Sequence, residues 1–137
     1  MELVRRDTDY ALRAMIHLAH MREERKVTAR ELGKSQEIPL SFCHKILRRL
    51  VAAGLVASQP GRTGGFQLNR PPKTVRFYDI VTAVQGPVAV SHCMIGRDAC
   101  PRQPTCPVSR KWKRLQQDVI TFLKETRLAD VFDGRKA

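Results

Sequence analysis

Along this chain, stretches whose apolar residues recur at helical spacing alternate with short apolar runs bounded by turn formers. Ala11, Leu12, Met15, Ile16 and Ala19 fall on one face of a helix predicted over 8–24. Thr28-Ala-Arg-Glu31 has the form of a capping box, in which the Thr hydroxyl and the Glu carboxylate each take a free amide, and a short helix is predicted from there to about Lys34. Pro39 suits the turn before a third helix, predicted over 41–53, with Ile46, Leu47, Leu50 and Val51 as its buried stripe. Gly54 stands where a left-handed C-terminal cap belongs. The runs 55–57 and 66–68 flank a segment holding Pro60, Gly61, Gly64 and Gly65, which predicts a β-hairpin with an irregular loop. After a proline-led connector over 71–76, a fourth helix is predicted over 77–85, with Phe77, Ile80, Val81 and Val84 inward and Gly86-Pro87 ending it.

Residues 88–107 have no periodicity and read as a loop with fixed turns. Beyond them Val108, Trp112, Leu115, Val119 and Phe122 recur at spacings of 4, 3, 4 and 3, a heptad-like seam. A helix over 108–126, with Pro107 in its first turn, is about 28 Å long at ~1.5 Å per residue. Such a seam is too apolar to leave in water. It is expected to bury partly against a second copy, giving a homodimer, and partly against the protomer's own first helix. The predicted fold is therefore mainly α with a small β-hairpin: a winged helix-turn-helix plus a long C-terminal dimerisation helix. Three parts are expected: a DNA-binding unit over 1–76, a connecting helix and cysteine loop over 77–107, and a dimerisation helix and tail over 108–137.

Charge narrows the partner. The 137 residues hold 25 Lys and Arg against 13 Asp and Glu, net +12, spread as +6 over 1–70, +2 over 71–107 and +4 over 108–137. An excess that no tail accounts for points to a polyanion, because neutralising phosphates releases condensed counterions. No apolar run approaches the ~20 residues of a membrane span, and the opening Met-Glu-Leu-Val-Arg-Arg is no secretory signal, so the chain reads as a cytoplasmic protein without a membrane role. Double-stranded DNA is then the expected partner. The third helix would enter the major groove with Ser41, Phe42 and His44 toward base edges, and Lys45, Arg48 and Arg49 toward phosphates or guanine edges. Arg62, among the glycines of the hairpin loop, would reach a minor groove. Phe42 can equally pack inward, and Cys43 reads as a small apolar filler.

The remaining cysteines, Cys93, Cys100 and Cys106, are spaced x6 and x5, and Cys100 and Cys106 are each followed by Pro. Thiolates are soft ligands suited to iron–sulfur clusters and zinc. A disulfide is disfavoured, because three cysteines leave one unpaired and the chain reads as intracellular. By themselves the residues leave open a cluster, a zinc site completed by His92, and three free structural thiols.

Four segments together carry a family resemblance: Thr8-Asp-Tyr-Ala-Leu-Arg-Ala14, Pro39-Leu-Ser-Phe42, Leu47-x-x-Leu50-x-x-Ala53-Gly-Leu-Val56 and Gly61-Arg-Thr-Gly-Gly-Phe66. With the three spaced cysteines, they resemble the Rrf-two family of winged-helix transcription regulators, the group of IscR, NsrR and RirA. The resemblance spans nearly the whole chain. It implies a dimer through the long C-terminal helix and a [2Fe-2S] or [4Fe-4S] iron–sulfur cluster on Cys93, Cys100 and Cys106 that alters DNA affinity. The histidine that serves IscR as fourth ligand is replaced here by Ser109. Asp9 matches the N-terminal acid that NsrR takes from its other subunit. Some family members lack a cluster.

The expectation is a DNA-binding regulator, usually a repressor in this family, governed by a cluster sensing iron or cluster status, oxygen or nitric oxide. The alternative is a regulator of the same fold without a cluster, answering to a metabolite or a partner protein. An enzyme is not expected: the chain shows no Cys-x-x-Cys, no phosphate loop and no legible nucleophile–base pair.

Overall fold

The computed structural model describes residues 2–22, 24–96 and 98–131. Helix α1 (Arg6–Met21) starts earlier than its apolar stripe suggests, because Asp7 and Asp9 in its first turn favour a helix N-terminus. It also stops earlier. The Glu24 and Arg25 amides turn back to the Met21 carbonyl, and Val27 exchanges backbone hydrogen bonds with Phe66, at 2.9 and 2.7 Å. Helix α2 (Ala29–Gln36) begins at Thr28, whose Oγ1 accepts from the Glu31 amide at 3.1 Å. Helix α3 (Leu40–Ala52) follows Pro39 and ends in a reversal: Gly54, at φ 77°, lets the Leu55 amide reach the Leu50 carbonyl at 3.0 Å.

Strands β1 (Val56–Gln59) and β2 (Gly65–Leu68) pair antiparallel, with Val56 opposite Leu68 and Gln59 opposite Gly65. The wing between them folds back closely. A Cβ on Gly64 would sit 1.9 Å from the Gln59 carbonyl oxygen, so only glycine fits there. After a 3-10 turn at Pro72–Thr74, α4 spans Phe77–Gln85. Its first turn is closed by Asp79, whose Oδ2 accepts from the Arg76 amide at 3.0 Å. A second 3-10 turn, His92–Met94, lies in the cysteine loop. Helix α5 (Pro107–Glu125) and a short α6 (Leu128–Val131) complete the described chain, and residues 132–137 of the expected dimerisation segment lie outside the described residues.

The main core gathers Met15, Leu18, Leu32, Ile46, Leu47, Leu50, Leu55 and Ile80, all essentially inaccessible. Leu128 of α6 enters this core too, and its amide bonds the Val75 carbonyl at 2.8 Å. The C-terminal segment therefore returns to the first unit. A second, smaller cluster of Val81, Val88 and Leu123 seats α5 on α4. The architecture is a winged helix-turn-helix with a long C-terminal helix, as the order of elements predicts.

Candidate nucleic-acid interface and cysteine loop

The stripe Cys43, Ile46, Leu47 and Leu50 pins α3 into the core and leaves Ser41, Phe42, His44, Lys45 and Arg48 exposed on its other side. Cys43 is inaccessible, 3.8 Å from the Ile38 carbonyl oxygen, and burial pushes its thiol up. Phe42 divides its faces: its ring packs edge-on against Tyr10 at 5.7 Å, yet 37% of the residue stays exposed. Between the starts of α2 and α3 and the wing runs a groove of about 370 Å³, lined by Arg30, His44, Gln59 and Gly61 among others. Arg62 is exposed in the wing turn. Sequence reasoning passed over Arg30 and Gln59. Arg30 lies two residues after the Thr28 cap, and a helix start beside a recognition helix was the signal that would have found it.

Arg49 behaves differently from its neighbours. Its Nη1 donates to the Val84 carbonyl and lies 3.8 Å from Asp7 Oδ2. The guanidinium is engaged within the protein.

The cysteine loop is clamped at its start by Gln116 of α5, which accepts from the Val90 amide at 2.8 Å and donates to the Val88 carbonyl. Gln103 donates to the Cys93 carbonyl at 2.5 Å, and Ser91 Oγ lies 3.0 Å from Cys93 Sγ. Cys93 sits in the 3-10 turn, Cys100 in the following turns, and Cys106 is the residue that precedes α5; all three are free and half-buried. In kind they match the donors of an iron–sulfur or zinc centre. In position, among the described residues, no three His, Cys, Asp or Glu side chains are grouped closely enough to hold a metal ion.

The candidate fourth ligands are scattered. Asp9 projects from α1 with its side chain 63% exposed, 3.5 Å from Arg13 Nε. Arg13 in turn donates to the Gln36 carbonyl at 3.1 Å and lies over the Tyr10 ring. His92 is exposed, and Ser109 is buried in the first turn of α5. Glu2 and His92 line a cleft of about 280 Å³ beside the loop, with Leu3, Arg5, Gln85 and Ser91. Glu2 carries no local sequence signal. Only the path of the N-terminal strap, residues 2–5 ahead of α1, brings it there.

The seam of α5 divides. Val119 packs toward Val81, Val88 and Leu123 of its own protomer. Val108, Trp112, Leu115 and Phe122 are exposed at 54, 40, 43 and 62%. Helix α5 packs chiefly on α4. Leu3 and Val4 of the N-terminal strap join Phe122 and Val119 around an apolar groove of about 300 Å³. Among the described residues no helix is long and apolar enough to cross a membrane.

Comparison with known proteins agrees with this geometry. The family model Rrf2, described as an iron-dependent transcriptional regulator, matches residues 4–134. The HTH-type transcriptional regulator Rv1287 of Mycobacterium tuberculosis is 36% identical over 127 residues, covering 92% of this chain and 78% of that protein. An HTH-type transcriptional regulator of Aquifex aeolicus is 29% identical over 126 residues, covering 90% and 87%. Among solved structures, CymR, the global cysteine regulator of B. subtilis, superposes with a TM-score of 0.78 at 24% identity, covering 99% of this chain and 100% of that one. T. potens IscR superposes with a TM-score of 0.76 at 22% identity, covering 98% and 91%. At these identities the two structures speak for the fold alone.

Proposed function

The chain belongs to the Rrf2 family of transcription regulators, and from that premise we propose that it is a cytoplasmic, homodimeric repressor whose grip on DNA is set by an iron–sulfur cluster on Cys93, Cys100 and Cys106. It is a regulator with a DNA-binding fold, not an enzyme. The observation that carries the finer reading is the cysteine loop: three free, half-buried thiols on one segment, tied at its start to α5 and placed between α4 and α5.

In this reading the chain divides by role. Residues 1–76 carry the DNA contacts: Ser41, Phe42 and His44 at base edges, Lys45 and Arg48 on phosphates or guanines, and Arg62 in a minor groove. Residues 77–107 hold the cluster, with Asp9 of the other subunit as fourth ligand, which accords with its exposed position on α1. Residues 108–137 make the dimer through Val108, Trp112, Leu115 and Phe122. Val119 is shared with the protomer's own core. When bound, a cluster supplies a centre that oxygen, nitric oxide or iron scarcity takes apart. The residues do the rest. Asp9, where it holds no cluster, pairs with Arg13, whose side chain spans from Tyr10 to the end of α2 at Gln36, next to the recognition helix. A small shift of the two recognition helices costs affinity, because half-sites lie one helical turn apart.

A second reading is favoured by one observation: among the described residues the three thiols do not form a metal-sized group. A cluster-free regulator would answer instead to a small metabolite or partner protein, for which the cleft lined by Glu2, Arg5 and His92 is the candidate receptor.

Anaerobic purification with iron and sulfide analysis separates the two. The cluster reading expects coloured protein. Cys93→Ala, Cys100→Ala and Cys106→Ala should each abolish the visible absorption, Asp9→Ala should leave a more labile chromophore, and Cys43→Ala should leave it unchanged. Colourless wild-type protein without iron or sulfide overturns the cluster. Loss of colour in His92→Ala, with Asp9→Ala matching wild type, moves the fourth ligand to His92.

A further inference from the structure

Two adjacent arginines on the recognition helix have different fates. Arg48 is exposed, while the Arg49 guanidinium turns back between two other elements. One partner is the Val84 carbonyl in the last turn of α4, among the carbonyls that a helix end leaves without an intrahelical donor. A cation there also complements the helix dipole. The other partner is Asp7, whose side chain is only 11% exposed and which Arg5 already holds through bonds of 3.2 and 2.9 Å. The next residue of α4 completes the junction. Gln85 Oε1 accepts from Thr8 Oγ1 at 2.7 Å and from the Arg5 amide at 3.2 Å, and its Nε2 donates to the Leu3 carbonyl at 3.0 Å. Thus α3, the start of α1 and the N-terminal strap are all bonded to Val84 and Gln85. The chain then runs through Gly86-Pro87 directly into the cysteine loop.

We propose that Arg49 is a positioning residue for DNA binding: a strut that sets α3 against α1 and α4, through which a change in the cysteine loop reaches the recognition helix. The second clause rests on the reading of that loop as the sensor. The strut itself needs only the geometry above. An arginine that left Val84 and Asp7 to reach a phosphate would strip the carbonyl of the buried Val84 and a nearly buried carboxylate of a shared partner, so the inward arrangement is the one DNA binding has to preserve.

Three measurements test this. The first is the salt dependence of binding to a non-specific DNA duplex. Lys45→Ala, a phosphate contact, should lower the slope of log K against log salt by about one unit. Arg49→Gln should weaken binding roughly two- to tenfold with the slope unchanged, and its effect should shrink in an Asp7→Asn background, as coupled residues do. The second needs no DNA. Hydrogen exchange in the C-terminal half of α3 should quicken in Arg49→Gln and also in Arg49→Lys, which keeps the charge but lacks the longer, planar guanidinium whose Nη1 meets both partners. The third alkylates Cys93, Cys100 and Cys106 with iodoacetamide in iron-free protein, so its outcome does not depend on a cluster. Alkylation should alter α3 exchange in wild type and leave it unaltered in Arg49→Gln. A slope lowered by one unit in Arg49→Gln with binding restored in Arg49→Lys, or unchanged α3 exchange in both variants, overturns the strut; an equal response to alkylation with and without Arg49 overturns the relay.

Discussion

Helices α3 and α5 are both amphipathic and both rich in Lys and Arg, but they are finished to different degrees. In its 13 residues α3 buries Cys43, Ile46, Leu47 and Leu50 against elements of its own chain. In its 19 residues α5 buries only Ser109 and Leu123 and presents Val108, Trp112, Leu115 and Phe122 to solvent. Helix α3 is complete within one protomer, so its outer face is free to meet a ligand. Helix α5 keeps an uncovered apolar face. A contiguous apolar face of this kind suits an association surface, and in the homodimer proposed above a second copy of the same face would satisfy it by two-fold symmetry.

The sharpest way to break this comparison is to charge the unfinished face. Leu115→Asp should abolish the dimer or make the protein insoluble, while the winged-helix core stays intact; sedimentation with circular dichroism checks both. A Leu115→Asp variant that sediments as a normal dimer would place the interface elsewhere. The finished helix should respond in the opposite way. Leu50→Ala, at a site with no exposure, should cost about 2–5 kcal/mol in denaturant unfolding with no change in subunit association at native temperature.

Smaller effects belong to the outer face of the DNA-binding unit. Arg62→Ala should cost ~1–3 kcal/mol on sites with a narrow minor groove and little on widened ones, read by titration of matched duplexes. Equal binding to every site would take the wing out of the groove.

The smallest effect is one of pH. Burial opposes the ionised form of Asp7, but the Arg5 guanidinium, the Thr8 amide and the Lys45 charge outweigh it and hold the carboxyl below its usual range. The folded chain therefore takes up this proton less readily than the unfolded one. Ionised Asp7 adds stability above the ordinary carboxylate pKa of ~3.9, and that stability is lost as pH falls from there through the lower folded value. Melting temperatures of wild type and Asp7→Asn should converge as pH falls from 5 toward about 3. A constant difference across that range would show that Asp7 is not held by its charge.

How much of this was legible in the chain depends on how local each signal is. The bounds of α4 at Phe77–Gln85, the Thr28 cap, the Gly54 reversal and the start of α5 at Pro107 follow from spacings of a few residues, and the structure shows each of them. Helix α6 escaped because four residues with one buried side chain have no periodicity to read, although Leu128 lies in the main core. The early end of α1 escaped because it is imposed by a bridge from Val27 to Phe66 far along the chain. The candidate sites divide in the same way. The exposed residues of α3 follow from helical phase, whereas Arg49 sits at the edge of the stripe, where phase cannot say whether its long side chain turns outward or back.

The sequence by itself determined the element order, the winged-helix class, the basic character and the residues equipped for chemistry. These depend on side-chain type and on periods of two to four residues, which are written along the chain. Only the tertiary structure decided which of those residues meet. It placed Glu2 and His92 on one cleft, joined Arg49 to Val84 and Asp7, left the three loop thiols outside any metal-sized group among the described residues, and left one face of α5 uncovered. The contacts join segments tens of residues apart, and all of these features are set by how whole elements pack around a shared core.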